Sequence, residues 1–189
     1  MVAQTSKEET EWSHSFTHFE NSIFNDIYTD TENLIFLISK SIFKKHIQHL
    51  DEGDLLKSYA LKTTVFWYFE KKALSLEESD WFGDEAILLF HTQEIFKVMQ
   101  SFFQKRFLPS YFIPKMNLIK SVREELLDKA IQQIERKVLT STSLNDLFTV
   151  KELKNIQIVL NSLRNMILNF KEKYEFMKSF PSMNNKKNR

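Results

Sequence analysis

The chain has 189 residues, 42% of them apolar, with 18 Phe and 3 Trp, enough for one substantial core and too apolar for disorder throughout. Two Gly and three Pro leave few tight turns, which argues against a hairpin-rich sheet protein and for long helices joined by polar connections. With no Cys and a formal net charge of +1, disulfides, thiolate metal sites and a large basic field are excluded.

Residues 1–11 read as a polar lead-in without the apolar run of a signal peptide. No stretch approaches the roughly 18 uninterrupted apolar residues of a membrane span, so a cytoplasmic protein with no membrane contact is expected. Trp12, Phe16, Phe19 and Ile23 recur three or four residues apart, with Phe24 beside them, as in a short helix or an amphipathic docking segment. Leu34 to Ile38 is continuously apolar, and Ile42, Phe43 and Ile47 continue a pattern that predicts a helix over 31–49, broken at 51–54. A second helix is predicted over 55–72. Leu56, Tyr59, Ala60, Thr63, Phe66 and Trp67 mark one stripe, while Leu61, Val65 and Phe69 make the opposite side apolar too. Such a helix needs burial on most sides and is the candidate centre of the core. Residues 63–69 suit a strand by propensity, but the flanking period near 3.6 favours helix.

Asp80 and Asp84 lead into a third helix at 84–107, bearing Ile87, Leu88, Phe90, Ile95, Phe96 and Phe103, with Pro109 as its stop. Residues 108–119 join two prolines to Tyr111, Phe112, Ile113, Met116 and Leu118 and read as an ordered apolar loop pinned to the core. Ser121 and Glu124 form a candidate capping box for a fourth helix carrying Leu126, Leu127, Ile131, Ile134 and Val138. A polar break at 140–145 follows. Thr149 and Glu152, a second candidate box, open a long helix ending near 178. The expected fold is all-α: a single compact multihelix domain of about five main helices with a long C-terminal helix. Its parts are the lead-in 1–11, a helical domain 12–139, a helical extension 140–178 packed on or beside it, and a flexible basic tail 179–189.

Ser, His and acidic residues occur without a spacing that marks a triad, so no catalytic residue is assigned. His14 and His18 stand four apart, as a metal pair would, but no third ligand is near, and they read as surface histidines; so do His46 and His49. Asp80, Asp84 and Glu85 cluster where a helix start favours acids anyway. No Gly-rich phosphate loop is present, and neither a metal site nor a cofactor is expected. At the start of the second helix Ser58 offers a donor to phosphate and Tyr59 a ring to stack on a base, with Lys57 and Lys62 beside them. From the residues alone the plainer reading is Tyr59 in the core and the lysines on a solvated surface. Lys44, Lys45 and His46 make a small positive patch, and Lys186, Lys187 and Arg189 are tail charges.

The string Leu56-Lys57-Ser58-Tyr59-Ala60-Leu61-Lys62-Thr63-Thr64-Val65-Phe66-Trp67 resembles the signature helix of the male-abnormal-21 (Mab-21) family, which includes cyclic GMP–AMP synthase-like proteins. The family pattern is a Ser-Tyr-His-Leu/Val-Lys-Thr core followed by apolar and aromatic residues. Tyr111-Phe112-Ile113-Pro114-Lys115-Met116-Asn117-Leu118 is similar to the family's Tyr-Phe-Ile-Pro-x-x-Asn-Leu loop. A weaker likeness joins Trp12-Ser13-His14-Ser15-Phe16-Thr17-His18-Phe19-Glu20 to its Trp-Arg-Leu-Ser-Phe-Ser-x-x-Glu segment. The strings fall in family order over roughly 11–138, and Trp81 also suits the pattern.

The resemblance implies the helical C-terminal (HhH/H2TH-like) lobe of such a protein. It also implies that the nucleotidyltransferase lobe, with its acidic residues for Mg²⁺, lies outside this chain, so that Mg²⁺ and nucleotide belong only to a complete catalytic parent. Ser58, Tyr59 and Lys62 match positions of the family's nucleotide pocket, where Tyr59 would stack on a nucleobase and Ser58 would contact phosphate. Ala60 replaces the family's His, and 34–38 is apolar where active synthases present lysines. The His and Cys insertion with which cyclic GMP–AMP synthase holds zinc and DNA is absent, and the near-neutral charge makes double-stranded DNA an unexpected partner. Two functions follow: a noncatalytic helical binding or scaffold module, or the helical half of a cyclic dinucleotide synthase-like nucleotidyltransferase. Trp12, Phe16 and Phe19 are candidate interface residues toward a protein partner, the missing lobe or a second copy.

Overall fold

The computed structural model describes residues 22–23, 28–50, 56–72, 85–155 and 158. Trp12, Phe16, Phe19, His14, His18, Asp80, Trp81, Asp84, most of the predicted C-terminal helix and the basic tail lie outside the described residues. The chain divides into two compact units, Met1–Thr149 and Val150–Arg189. In the second, residues 150–155 are helical directly after Thr149.

Helix α1 (Asp30–His46) opens on a reciprocal box. The Glu32 N–H donates to Thr29 Oγ1 at 3.2 Å and the Thr29 N–H donates to Glu32 Oε2 at 2.8 Å, so two otherwise orphaned donors are satisfied. Lys44, Lys45 and His46 fill its last turn, at the negative end of the helix dipole. Leu34, Ile35, Ile38, Ile42 and Phe43 form its buried face.

Helix α2 (Ser58–Lys72) is buried on most sides, as its apolar residues on opposite faces require: Ala60, Leu61, Val65, Phe66 and Phe69 are all in the core. Helix α3 (Glu85–Gln104) is the element that packs against α1, α2, α4 (Glu124–Gln133) and the turn after it, so α3 shares the central position predicted for α2. Phe43, Phe66, Phe69, Phe96 and Phe103 are fully buried among these helices, each stabilising by about 1.5–3 kcal/mol. Phe90 departs from the predicted α3 stripe and is 51% exposed.

Pro109 is not what stops α3. The helix ends at Gln104, Arg106 takes a left-handed φ of 53°, and the N–H groups of Arg106 and Phe107 return to the carbonyls of Phe103 and Phe102 at 3.0 and 3.1 Å. This is a Schellman closure. A non-Gly residue there costs about 1–2 kcal/mol. The Arg106 guanidinium offsets part of that cost, donating to Asp128 at 2.5 Å and to the Phe103 carbonyl at 3.3 Å.

The capping box predicted at Ser121 does not form. Ser121 sits in a turn ahead of the helix, α4 starts at Glu124 with Arg123 in the cap position and no side-chain cap bond, and Glu124 and Glu125 complement the dipole instead. After Gln133 the helix widens into a π turn, Ile134–Leu139, that keeps Ile134 and Val138 buried. Gln93 of α3 holds its exit, donating to the carbonyls of Val138 and Ser141 at 3.1 and 2.8 Å. A 3₁₀ turn at Leu144–Asp146 follows, anchored by Glu85, whose carboxylate accepts from the Ser143 hydroxyl and the Leu144 N–H, both at 3.0 Å. Among the described residues there is no strand, and an antiparallel bridge joins Pro109 to Asn117. No helix among them is long and apolar enough to cross a membrane.

Candidate functional site

The first turn of α2 carries the residues matched to a nucleotide pocket. Lys57 and Ser58 are exposed, while Tyr59 and Lys62 are half-buried, so Tyr59 is not the core residue that its apolar bulk suggests. Ser58 and Lys62 stand four apart and Tyr59 and Lys62 three apart, which places the three along one side of the helix. Ala60 and Leu61 turn the other way into the core, and the Thr64 hydroxyl donates back to the Ala60 carbonyl at 2.8 Å. No acidic residue occupies this turn, so helix N–H groups and two lysines give it a positive local field. The chemistry on offer is contact with an anion and stacking on a ring.

The loop that bears the second family string is a rigid clamp on the far part of α2. Asn117 ties it together: its Oδ1 accepts from the N–H groups of Leu108 and Ile119 at 3.0 and 3.1 Å, and its Nδ2 donates to the Arg106 carbonyl at 2.9 Å. Backbone bonds from Leu118 to Leu108 and from Ser110 to Met116, both 2.9 Å, close the loop. Trp67 Nε1 donates to the Pro109 carbonyl at 3.0 Å. Phe66 meets Tyr111 at 5.2 Å and Phe112 at 6.3 Å between ring centroids, and Tyr28 closes on Phe69 at 5.1 Å. Burial, then the charges of Tyr111, Glu32 and Glu70, push the Tyr28 hydroxyl far up, so it stays protonated. The two strings therefore meet in space, one packed on the other. The loop's tip stays outside, with Ile113 38% and Met116 51% exposed.

Lys45, His46 and Glu85, also singled out in the sequence, serve the fold, while Lys44 and His49 are exposed. Lys45 Nζ donates to the Leu147 carbonyl at 3.1 Å and His46 Nε2 lies 3.2 Å from the same oxygen, so two members of the positive patch hold the 140–149 segment on α1. Lys45 also lies over the Phe148 ring at 5.8 Å. Glu85 is spent on Ser143 and Leu144. Asp146 is lowered from the ordinary carboxylate value because the N–H groups of Thr142 and Ser143, then the Thr142 hydroxyl, donate to it. Among the described residues no cluster of three His, Cys, Asp or Glu could hold a metal ion.

Sequence reasoning misses a buried polar pair. The Tyr68 hydroxyl lies 2.5 Å from His91 Nδ1, with Tyr68 on α2 and His91 on α3, both buried. Burial, then Glu94, raises the Tyr68 hydroxyl well above its usual value; burial, then Lys72, lowers His91 below 6.5, with Glu94 opposing. Tyr68 thus keeps its proton, and its hydroxyl shares a hydrogen bond with Nδ1 of the imidazole, in which either partner can donate.

The helical arrangement and the meeting of the two strings agree with comparison to known families. Residues 34–136 match the Mab-21 protein HhH/H2TH-like domain, which is more than half of the chain. The chain belongs to the Mab-21 C-terminal domain family. The matched span of this Mab-21 domain runs from the buried face of α1 into the π turn and includes both strings. No solved structure matches the chain.

Proposed function

We propose that this Mab-21 domain is a noncatalytic binding or scaffold module with a protein partner. The observation that carries this reading is the 108–119 loop, which hydrogen bonds hold closed while it presents Ile113 and Met116 to solvent. A rigid apolar tip loses little conformational freedom when a partner covers it. The reading is also supported by three contacts in which polar groups serve the fold: Tyr68 with His91, Glu85 with Ser143 and Leu144, and Asp128 with Arg106.

A second reading, the helical half of a nucleotidyltransferase, is favoured by one feature, the side of α2 that carries Ser58, Tyr59 and Lys62 in a turn without acids. In a longer parent that turn would form one wall of a nucleotide pocket. Isothermal titration with ATP and GTP in Mg²⁺, on the native chain and on Tyr59→Ala checked for folding, separates the two. The binding-module reading expects no specific heat. Saturable heat that Tyr59→Ala abolishes would replace it with the pocket-wall reading.

A further inference from the structure

The loop that clamps α2 also stands apart in charge. From Lys105 to Arg123 the sequence has five basic residues and no acid, although the chain as a whole nearly balances 26 basic against 25 acidic residues. Arg106 is bonded to Asp128. Lys105, Lys115 and Lys120 are exposed and form no ion pair among the described residues, so their charge faces solvent. Acids lie at the borders of this stretch: Glu124 and Glu125 open α4, and on the α2 side burial, then Glu70, raises the Tyr111 hydroxyl.

Exposed apolar side chains stand among these lysines. Backbone bonds between Leu118 and Leu108 and between Ser110 and Met116 make the loop a short hairpin. Phe107, 41% exposed, lies at its base next to Lys105, with Lys120 at the foot of the other arm, and Ile113, Lys115 and Met116 lie at the tip. Base and tip are a few residues apart along each arm, so the strip is roughly 15 Å long, the span of about five extended residues.

That mixture selects among occupants. Apolar side chains alone would cover the tip but leave the ammonium groups beside it without counter-charge, whereas carboxylates interleaved with apolar groups answer both. A nucleic-acid backbone would meet the lysines and leave Ile113 and Met116 uncovered. A bilayer would admit the tip only by drawing Lys115, which separates Pro114 from Met116, toward hydrocarbon.

We propose that this hairpin docks an acidic, apolar segment of a protein partner, with its apolar side chains on Phe107, Ile113 and Met116 and its carboxylates toward Lys105, Lys115 and Lys120. The inference rests on the binding-module reading and adds the chemistry of the partner. Asn117 already holds the hairpin closed, so docking orders side chains rather than backbone.

Selection from a random dodecapeptide display library on the full chain tests this. Enrichment of Asp and Glu together with Leu, Ile, Phe or Trp is expected. The selected peptide, synthesised and titrated by fluorescence anisotropy, is expected to bind at least about tenfold more weakly to Ile113→Ser/Met116→Ser and to Lys105→Glu/Lys115→Glu. Its affinity for the native chain is expected to fall several-fold between about 50 and about 300 mM salt. All four positions are exposed, so both variants are expected to keep the native circular dichroism, and either one decides should the other misfold. Selected peptides that lack acids but are still lost in Ile113→Ser/Met116→Ser overturn the acidic occupant and leave the binding module standing. No enrichment, or equal binding by both variants, overturns the docking site. Co-sedimentation of the native chain with phosphatidylserine-containing vesicles, lost in Ile113→Ser/Met116→Ser, would overturn the protein segment in favour of a membrane.

Discussion

The loop at 108–119 and the first turn of α2 both carry strings of the Mab-21 pattern, yet the fold uses them in opposite ways. In the loop much of the string serves the structure, since Tyr111 and Phe112 pack on Phe66 and Asn117 holds three backbone groups. In the α2 turn, Ala60 and Leu61 serve the core while Lys57 and Ser58 stand in solvent and Tyr59 and Lys62 only half inside. Family likeness alone therefore does not separate residues kept for packing from residues that reach solvent. Burial does.

Three substitutions test that contrast. Phe66→Ala empties the place where α2 and the loop meet and is expected to cost about 3–5 kcal/mol, read from the denaturant midpoint. A cost below about 1 kcal/mol would mean that the loop is not docked on α2. Asn117→Ala leaves two N–H groups and a carbonyl without their partner and is expected to cost about 2–3 kcal/mol, with faster proteolysis between Leu108 and Ile119. If stability holds, the closure rests on the backbone bonds alone. Ser58→Ala removes an exposed hydroxyl and is expected to change stability by no more than about 0.5 kcal/mol. A larger loss would show that this turn, too, serves the fold and would erase the contrast.

How much of this is legible in the sequence depends on the range of the interaction. The burial of α2 is, because Leu61, Val65 and Phe69 oppose Phe66 on the same helix. The Thr29–Glu32 box also has a local signal, a Thr three residues before a Glu ahead of an apolar run, which periodicity alone passes over. The end of α3 does not fall where Pro109 suggests, because a left-handed cap is recognised by Gly or Asn, and here the residue is Arg106. Ser121 has the right spacing for a box but lies in a turn that the pattern does not reveal. The Tyr68–His91 pair spans 23 residues between two helices, a tertiary contact that no local pattern announces. For the candidate site, resemblance points to Ser58, Tyr59 and Lys62. That Ser58 is exposed and Tyr59 and Lys62 half-buried follows only from the packing of Ala60 and Leu61 into the core.

The π turn at 134–139 behaves like a frameshift written into a helix. It holds about one residue more than an α-helical turn, so positions beyond it are rotated by roughly 100° from the stripe that α4 would have continued. Ile134 and Val138, four apart, look like ordinary α-helical neighbours, so hydrophobic spacing gives no notice of the change. A relative lacking one residue here would return to plain helix and present other carbonyls to Gln93. The gap in such an alignment would fall inside a helix, and placing it in the nearest loop would misalign the residues between the π turn and that loop.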